Sequence, residues 1–308
     1  MGDLTPQENE KTGLIYGILA YTVWGILPLY WKLLNVIPAY EILAHRIFWS
    51  FIFIGTLLLY SGKWKMVVDV CKNKKNVLLI FLCAAIVSVN WGTYIWAVNS
   101  DQVVEASMGY YINPLVMFLF SVTILKEKLN FWQITAITLA VIGVMIITVQ
   151  YGKVPWIALV LAASFATYGL LKKLINADAM GGLALETAFS APLALFYILF
   201  KQFQGIGAVG TVSVSTLLIL FGSGIATATP LLWFAQAAGK IKFSTLGFLQ
   251  YIAPTITLFL GVVVFKESFT PTHLLSFGFI WLALLIYTLS NMGKLKKRDT
   301  PAEITDSY

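Results

Sequence analysis

Ionisable side chains set among apolar ones are where chemistry is first to be sought, and this sequence has one dense group of them. Glu41, His45 and Arg46 lie in EILAHRIFWS, flanked by Leu, Ile, Phe and Trp. Glu41 and His45 are four apart and share a helical face, whereas Arg46 stands roughly 140° round from Glu41. A charge placed so far into an apolar helix is costly and faces a cavity or a partner. Two uses follow from these residue types. Arg46 can hold an anion or carboxylate through paired N–H donors, and Glu41 or His45 can take up a proton or meet an amine. The structural alternative is an ion pair that fastens this helix to a neighbour.

Further polar residues interrupt other apolar runs. Asn90, Trp91, Tyr94 and Asn99 mix amides with aromatic rings, as a solute pocket does, although rings also pack between helices. Asp101 suits a helix N-terminus and Glu105 follows it; Tyr111, Asn113 and Pro114 form a candidate notch, since Pro114 releases the carbonyl of Tyr110. In the second half Glu186, Thr227, Gln250 and Tyr251 recur in similar settings. Tyr30 and Trp31 read either as pocket residues or as an interface belt. No nucleotide-binding loop, zinc signature, haem ligation signature or catalytic triad pattern occurs, so no cofactor or metal is expected and an enzyme is the poorest reading. Cys71 and Cys83 lack metal-ligand or redox spacing.

The elements that carry these residues are membrane spans. Apolar residues make up 59% of the 308 and charged residues 11%, too little polar surface for one water-soluble core. The pattern predicts spans near 13–31, 40–60, 77–99, 103–125, 132–150, 154–172, 181–200, 215–237, 244–265 and 272–290. The sixth, with Ser164, Thr167 and Tyr168, and the seventh, with Glu186 and Pro192, are the least apolar. With cytoplasmic termini, sixteen of the 21 basic residues fall in inner segments, Lys172 and Lys173 among them. Only Lys32, Lys153, Lys201 and Lys266 fall outside, with Arg46 inside a span. The net charge of +7 is thereby accounted for by the bilayer, with no need of nucleic acid.

Tyr111-Ile112-Asn113-Pro114 returns as Tyr251-Ile252-Ala253-Pro254, and Lys126-Glu127 as Lys266-Glu267, both at an offset of 140 residues. Glu41 matches Glu186, and Trp24-Gly25 matches Tyr168-Gly169, at similar offsets. Five spans separate the copies, so the halves run antiparallel, a plan that suits alternating access. The expected fold is therefore an all-α integral membrane protein of ten transmembrane helices in two inverted five-helix repeats. Its parts are a cytoplasmic tail (1–12), the repeats (13–150 and 151–290) and a basic cytoplasmic tail (291–308). The charged ends Lys126-Glu127-Lys128 and Lys266-Glu267 read as interfacial stops.

Along almost its full length the chain resembles the drug/metabolite transporter superfamily, EamA-like, and within it the branch of RarD-type chloramphenicol-sensitivity permeases. The phrases that carry this are GILAYTVWGILPLYWKLL, EILAHRIFWS, NWGTYIWAVNS, EASMGYYINPLVMFLFSVTILKEKL and FLQYIAPTITLFLGVVVFKESF. The resemblance implies a carrier in a bacterial plasma (inner) membrane, with a central cavity between the repeats. It puts Glu41, His45, Arg46, Asn90, Trp91, Tyr94, Asn99, Glu105, Tyr111 and Asn113 in recurrent polar motifs of the branch. The expected function is a secondary transporter of a small organic metabolite or drug-like solute, coupled to protons through Glu41, His45 and Glu105. The alternatives are a facilitator or exchanger without proton coupling, and a membrane scaffold whose polar spans are sealed by ion pairs. The expected partners are the lipid bilayer, the solute and protons; the sequence carries no signal for an oligomeric state.

Overall fold

A computed structural model describes residues 6–99, 103–152, 154–264 and 271–299. Asp101, Lys153, Lys266, Glu267 and the two chain ends lie outside the described residues, as do the side chains of Asn99 and Glu105. Helices account for nearly everything described, and no strand occurs among those residues. They are α1 (Pro6–Lys32), α2 (Ala39–Tyr60), α3 (Trp64–Lys72), α4 (Lys74–Asn99), α5 (Val103–Thr123) and α6 (Phe131–Tyr151). The second half holds α7 (Trp156–Leu174), α8 (Ala179–Phe203), α9 (Val214–Lys240), α10 (Phe243–Gln250), α11 (Ile252–Phe259) and α12 (Pro271–Asp299). A π-helical turn, Leu260–Val264, extends α11.

Local chemistry sets the ends. Asn130 and Gln133 form a reciprocal capping box that starts α6, and Gly152 ends it in the left-handed region at φ 75°. Asp178 and Ser213 cap α8 and α9 by accepting from backbone N–H groups one turn in. The break between α10 and α11 falls at Tyr251, three residues before Pro254, whose ring conflicts with the carbonyl one turn back. In the matching stretch α5 passes through Pro114 unbroken. There Asn113 is tied sideways, its Nδ2 donating to the Ala162 carbonyl of α7 at 2.6 Å.

Among the described residues eight helical segments are long and apolar enough to cross a membrane, and two shorter apolar helices, Met108–Thr123 and Leu274–Ser290, join them. Their outward faces carry Leu119, Leu193, Phe196 and Leu289, all well exposed. Such a surface is tolerable only against lipid. The chain is a multi-pass membrane protein.

The helices pair mostly between the two halves of the chain. α1 packs on α9 and α11, α2 on α8 and α9, α4 on α7 and α8, α5 on α7 and α10, and α6 on α12. The largest buried cluster lies at this seam, where Tyr21 and Tyr168 meet Phe234, the Tyr168 and Phe234 rings stacked with centroids 5.8 Å apart. α7 is the most enclosed span, which accounts for its Ser, Thr and Ala content: its neighbours are helices on most sides. α3 was not anticipated. It is a nine-residue amphipathic helix in a stretch read as a lysine-rich loop, and its Lys72 bonds Asp69 at 2.7 Å.

Candidate functional site

The site is built at the crossing of α2 and α9. Gly224 makes that crossing close, since a Cβ there would overlap the backbone of Trp49 and the Ser50 nitrogen. Ser50 Oγ seals it by donating to the Gly224 carbonyl at 3.0 Å as well as to the Arg46 carbonyl at 2.6 Å. One turn on, Arg46 Nε donates to Thr227 Oγ1 at 3.0 Å.

The guanidinium lies against two indoles. Its central carbon is 4.4 Å from the ring centroid of Trp31 on α1 and 4.9 Å from that of Trp91 on α4. This is cation–π geometry, which stabilises a charge held away from water. Tyr94 and Tyr110, edge to face with centroids 6.1 Å apart, stand close enough to interact electrostatically with it. No carboxylate among the described residues pairs with Arg46. A narrow cavity between α2, α4, α8 and α9 is lined by Trp91, Thr227, Ser50, Ser88, Ser190 and Glu186. A wider recess along Ile26 and Leu29 of α1 and Leu33 just beyond its end is apolar and open.

Glu41 and His45 lie on another side of α2. Glu41 is buried; its Oε1 accepts from the backbone N–H of Ala208, in the link before α9, and its Oε2 has no partner. His45 Nδ1 accepts from Trp49 Nε1 at 3.1 Å. Because an indole only donates, Nδ1 carries no proton and the neutral ring bears it on Nε2. Nε2 is buried and without a partner.

Most other sequence candidates serve helix packing. Asn90 Nδ2 donates to the Leu161 carbonyl at 2.9 Å and to Ser164 Oγ at 2.8 Å, pinning α4 to α7. Asn113 pins α5 to the next carbonyl of the same helix. The Tyr111 ring meets Phe277, and its carbonyl accepts from the Tyr251 hydroxyl at 3.3 Å. Gln250 is buried with Oε1 unpartnered. Glu186 accepts from Tyr168 at 3.1 Å and forms an ion pair with Lys172. Lys172, expected among the inner-facing loop cations, is thus buried inside the bundle. Trp91 and Tyr94 are the candidates that join Arg46.

Three residues at the site or near its base are not among the candidate site residues read from the sequence. Trp31 is a wall of the arginine cage; the alternative of a pocket residue was open for it in the sequence. Glu127 accepts from Phe243 N at 2.7 Å, Ser244 N at 3.1 Å and Ser244 Oγ at 2.7 Å, capping α10. Lys173 donates to the carbonyls of Ala238 at 3.2 Å and Ile241 at 2.6 Å, where α9 ends. Together they clasp the α9–α10 turn, Glu127 from the first half of the chain and Lys173 from α7, in the same half as the turn, which is more than the interfacial stop expected of Lys126-Glu127-Lys128.

Comparison with known proteins agrees with this architecture. Residues 11–149 match the EamA-like transporter family. The chain is 46% identical over 287 residues to an uncharacterized transporter, YojE, of Bacillus subtilis, covering 92% of this chain and 96% of that one. It is 45% identical over 282 residues to Protein RarD of Streptomyces exfoliatus, covering 91% and 90%. To Protein RarD of Escherichia coli it is 37% identical over 282 residues, covering 92% and 95%. A solved crystal structure with 17% identity superposes with a TM-score of 0.69 over 90% of this chain and 98% of its own, a likeness of fold alone.

Proposed function

Because this chain belongs to the EamA-like transporter family, in its RarD-type branch, we propose that it is a secondary carrier of a small organic solute working by alternating access. The observation that carries this is Arg46. It is a permanent charge in an apolar helix, walled by Trp31 and Trp91, with no acid paired to it among the described residues. A scaffold would neutralise such a charge once and for all, as Lys172 neutralises Glu186. A carrier keeps it for its cargo.

The working unit is ten spans in two inverted five-helix halves, 13–150 and 151–290. The packing supports this. Matching α1, α2, α4, α5 and α6 with α7, α8, α9, α10–α11 and α12 turns each main contact between these helices across the halves into another that is also made. Thus α1 on α9 corresponds to α7 on α4, and α2 on α9 to α8 on α4. The carrier sits in the bacterial inner membrane with both termini cytoplasmic, on the basis of its loop lysines. Proton coupling is assigned to Glu41, whose Oε2 is free to carry a proton. His45 is less suited, since protonation at Nδ1 would break its bond to Trp49.

The test is a stability screen of the purified chain against organic acids, amino acids, amines and amphenicols, with every stabilising compound taken to counterflow in proteoliposomes. The expected result is saturable uptake driven by the same solute inside. Folded protein that exchanges no compound across the membrane would sink the carrier reading. A pH dye in the lumen separates the coupling modes: solute entry should move protons, and flux with no pH change would instead favour exchange.

A further inference from the structure

The geometry points to a monoanionic carboxylate with an apolar or aromatic body as the cargo of the Arg46 cage, in preference to phosphate esters, amines or neutral amides. This rests on the carrier reading and specifies its solute.

Charge is the first argument. Among the described residues of the cage Arg46 supplies one positive charge, and Glu41, bonded to the Ala208 N–H, lies on another side of α2. Lys172 is neutralised by its ion pair with Glu186, and the bond from Trp49 to Nδ1 leaves His45 neutral. A single negative charge on the solute would therefore close the balance. A phosphate dianion would leave one charge uncompensated in a low-dielectric bundle, an amine would add a second cation, and a neutral solute would leave the guanidinium unpaired.

Shape is the second. Nε is occupied by Thr227. The terminal Nη groups have no protein partner among the hydrogen bonds of the described residues, and they form the end-on fork that matches the two oxygens of a planar carboxylate. The ring centroids of Trp31 and Trp91 lie 4.4 Å and 4.9 Å from the central carbon, cation–π contacts that use no N–H donor and so leave the fork to a solute. The rings of Tyr94 and Tyr110 then offer apolar area beside the fork for the body of the solute.

Four probes of one size and different charge decide the matter: benzoate, benzamide, benzylamine and phenyl phosphate at about pH 8, where the ester is a dianion. Binding is measured by calorimetry on the full chain in lipid nanodiscs, for wild type, Arg46→Lys and Arg46→Gln. Benzoate is expected to bind at least tenfold more tightly than the other three. It should weaken about tenfold in R46K, which keeps charge without the fork, and be lost in R46Q. Wild-type selectivity needs no variant to fold and stands as a test by itself. Equal or tighter binding of another probe would overturn the carboxylate class and leave the carrier reading intact. Benzoate affinity unchanged in both variants would overturn Arg46 as the site. Wild type that binds none of the four overturns the proposal, and counterflow of any other solute would show that the carrier survives it.

Discussion

Two charges within this bundle are handled in opposite ways. Glu186 has its countercharge within the protein, from Lys172, and a further hydrogen bond from Tyr168. Removing one partner of such a pair leaves an isolated charge in a low-dielectric setting, at a cost of roughly 3–5 kcal/mol, whereas removing both is far milder. Thermal unfolding in detergent should therefore rank K172M well below wild type, with the K172M/E186M double variant recovering most of the loss. Additive losses would mean that the two residues are not coupled. Arg46 has no such partner, only two indoles and a threonine hydroxyl. Its charge was conspicuous in the sequence because an arginine two turns into an apolar helix has few structural uses. What the sequence did not reveal was which aromatic residues enclose it. Trp31 sits near one end of its span, where belt and pocket residues look the same.

At the scale of elements, the site depends on how closely α2 and α9 approach. Gly224 permits the contact and Ser50 bonds across it. A methyl group there must push the helices apart or bend one of them, which for an overpacked contact costs about 1–3 kcal/mol. Gly224→Ala should lower the melting temperature and also weaken any solute whose binding needs Arg46. A variant as stable as wild type with unchanged binding would mean that the crossing has slack. Gly224 was one of 23 glycines in the sequence and nothing in its neighbours marked it. Asn90 and Asn113 illustrate the reverse case: amides that looked suited to a pocket donate to adjacent carbonyls of α7. Spacing shows that an amide points inward, but its partner is decided by which helix comes alongside.

For the whole molecule, orientation in the membrane is open to a direct test with the two native cysteines. Cys71 is exposed on α3, in the lysine-rich link that the charge distribution assigns to the cytoplasmic side, and Cys83 is buried in α4. A membrane-impermeant maleimide should label Cys71 in inverted membrane vesicles and spare it in spheroplasts, with Cys83 unlabelled in both. Labelling of Cys71 from outside would reverse the assigned topology. With the topology as assigned, the clasp on the α9–α10 turn lies at the cytoplasmic end of the seam, where Glu127 ties the first half to the second. Pairing between halves at nearly every helix explains why no single half encloses the arginine cage: Trp31, Arg46 and Trp91 come from the first, Thr227 from the second.

The solvent of this protein is legible in its composition and run lengths alone. Apolar runs of bilayer length and loop lysines biased to one side leave no other reading, because transfer of such surface is a sum over residues and needs no knowledge of contacts. The sequence also marked Arg46, since the cost of a charge in a span is a property of its position along one helix. Which polar residues are already satisfied depends on how the helices pack. Lys172 looked like a loop cation and is an internal counter-ion; Asn90 and Asn113 looked like pocket amides and are helix ties. Hydrogen bonds and ion pairs are settled between helices far apart in the chain, over distances of about 3 Å, and local pattern carries no record of them.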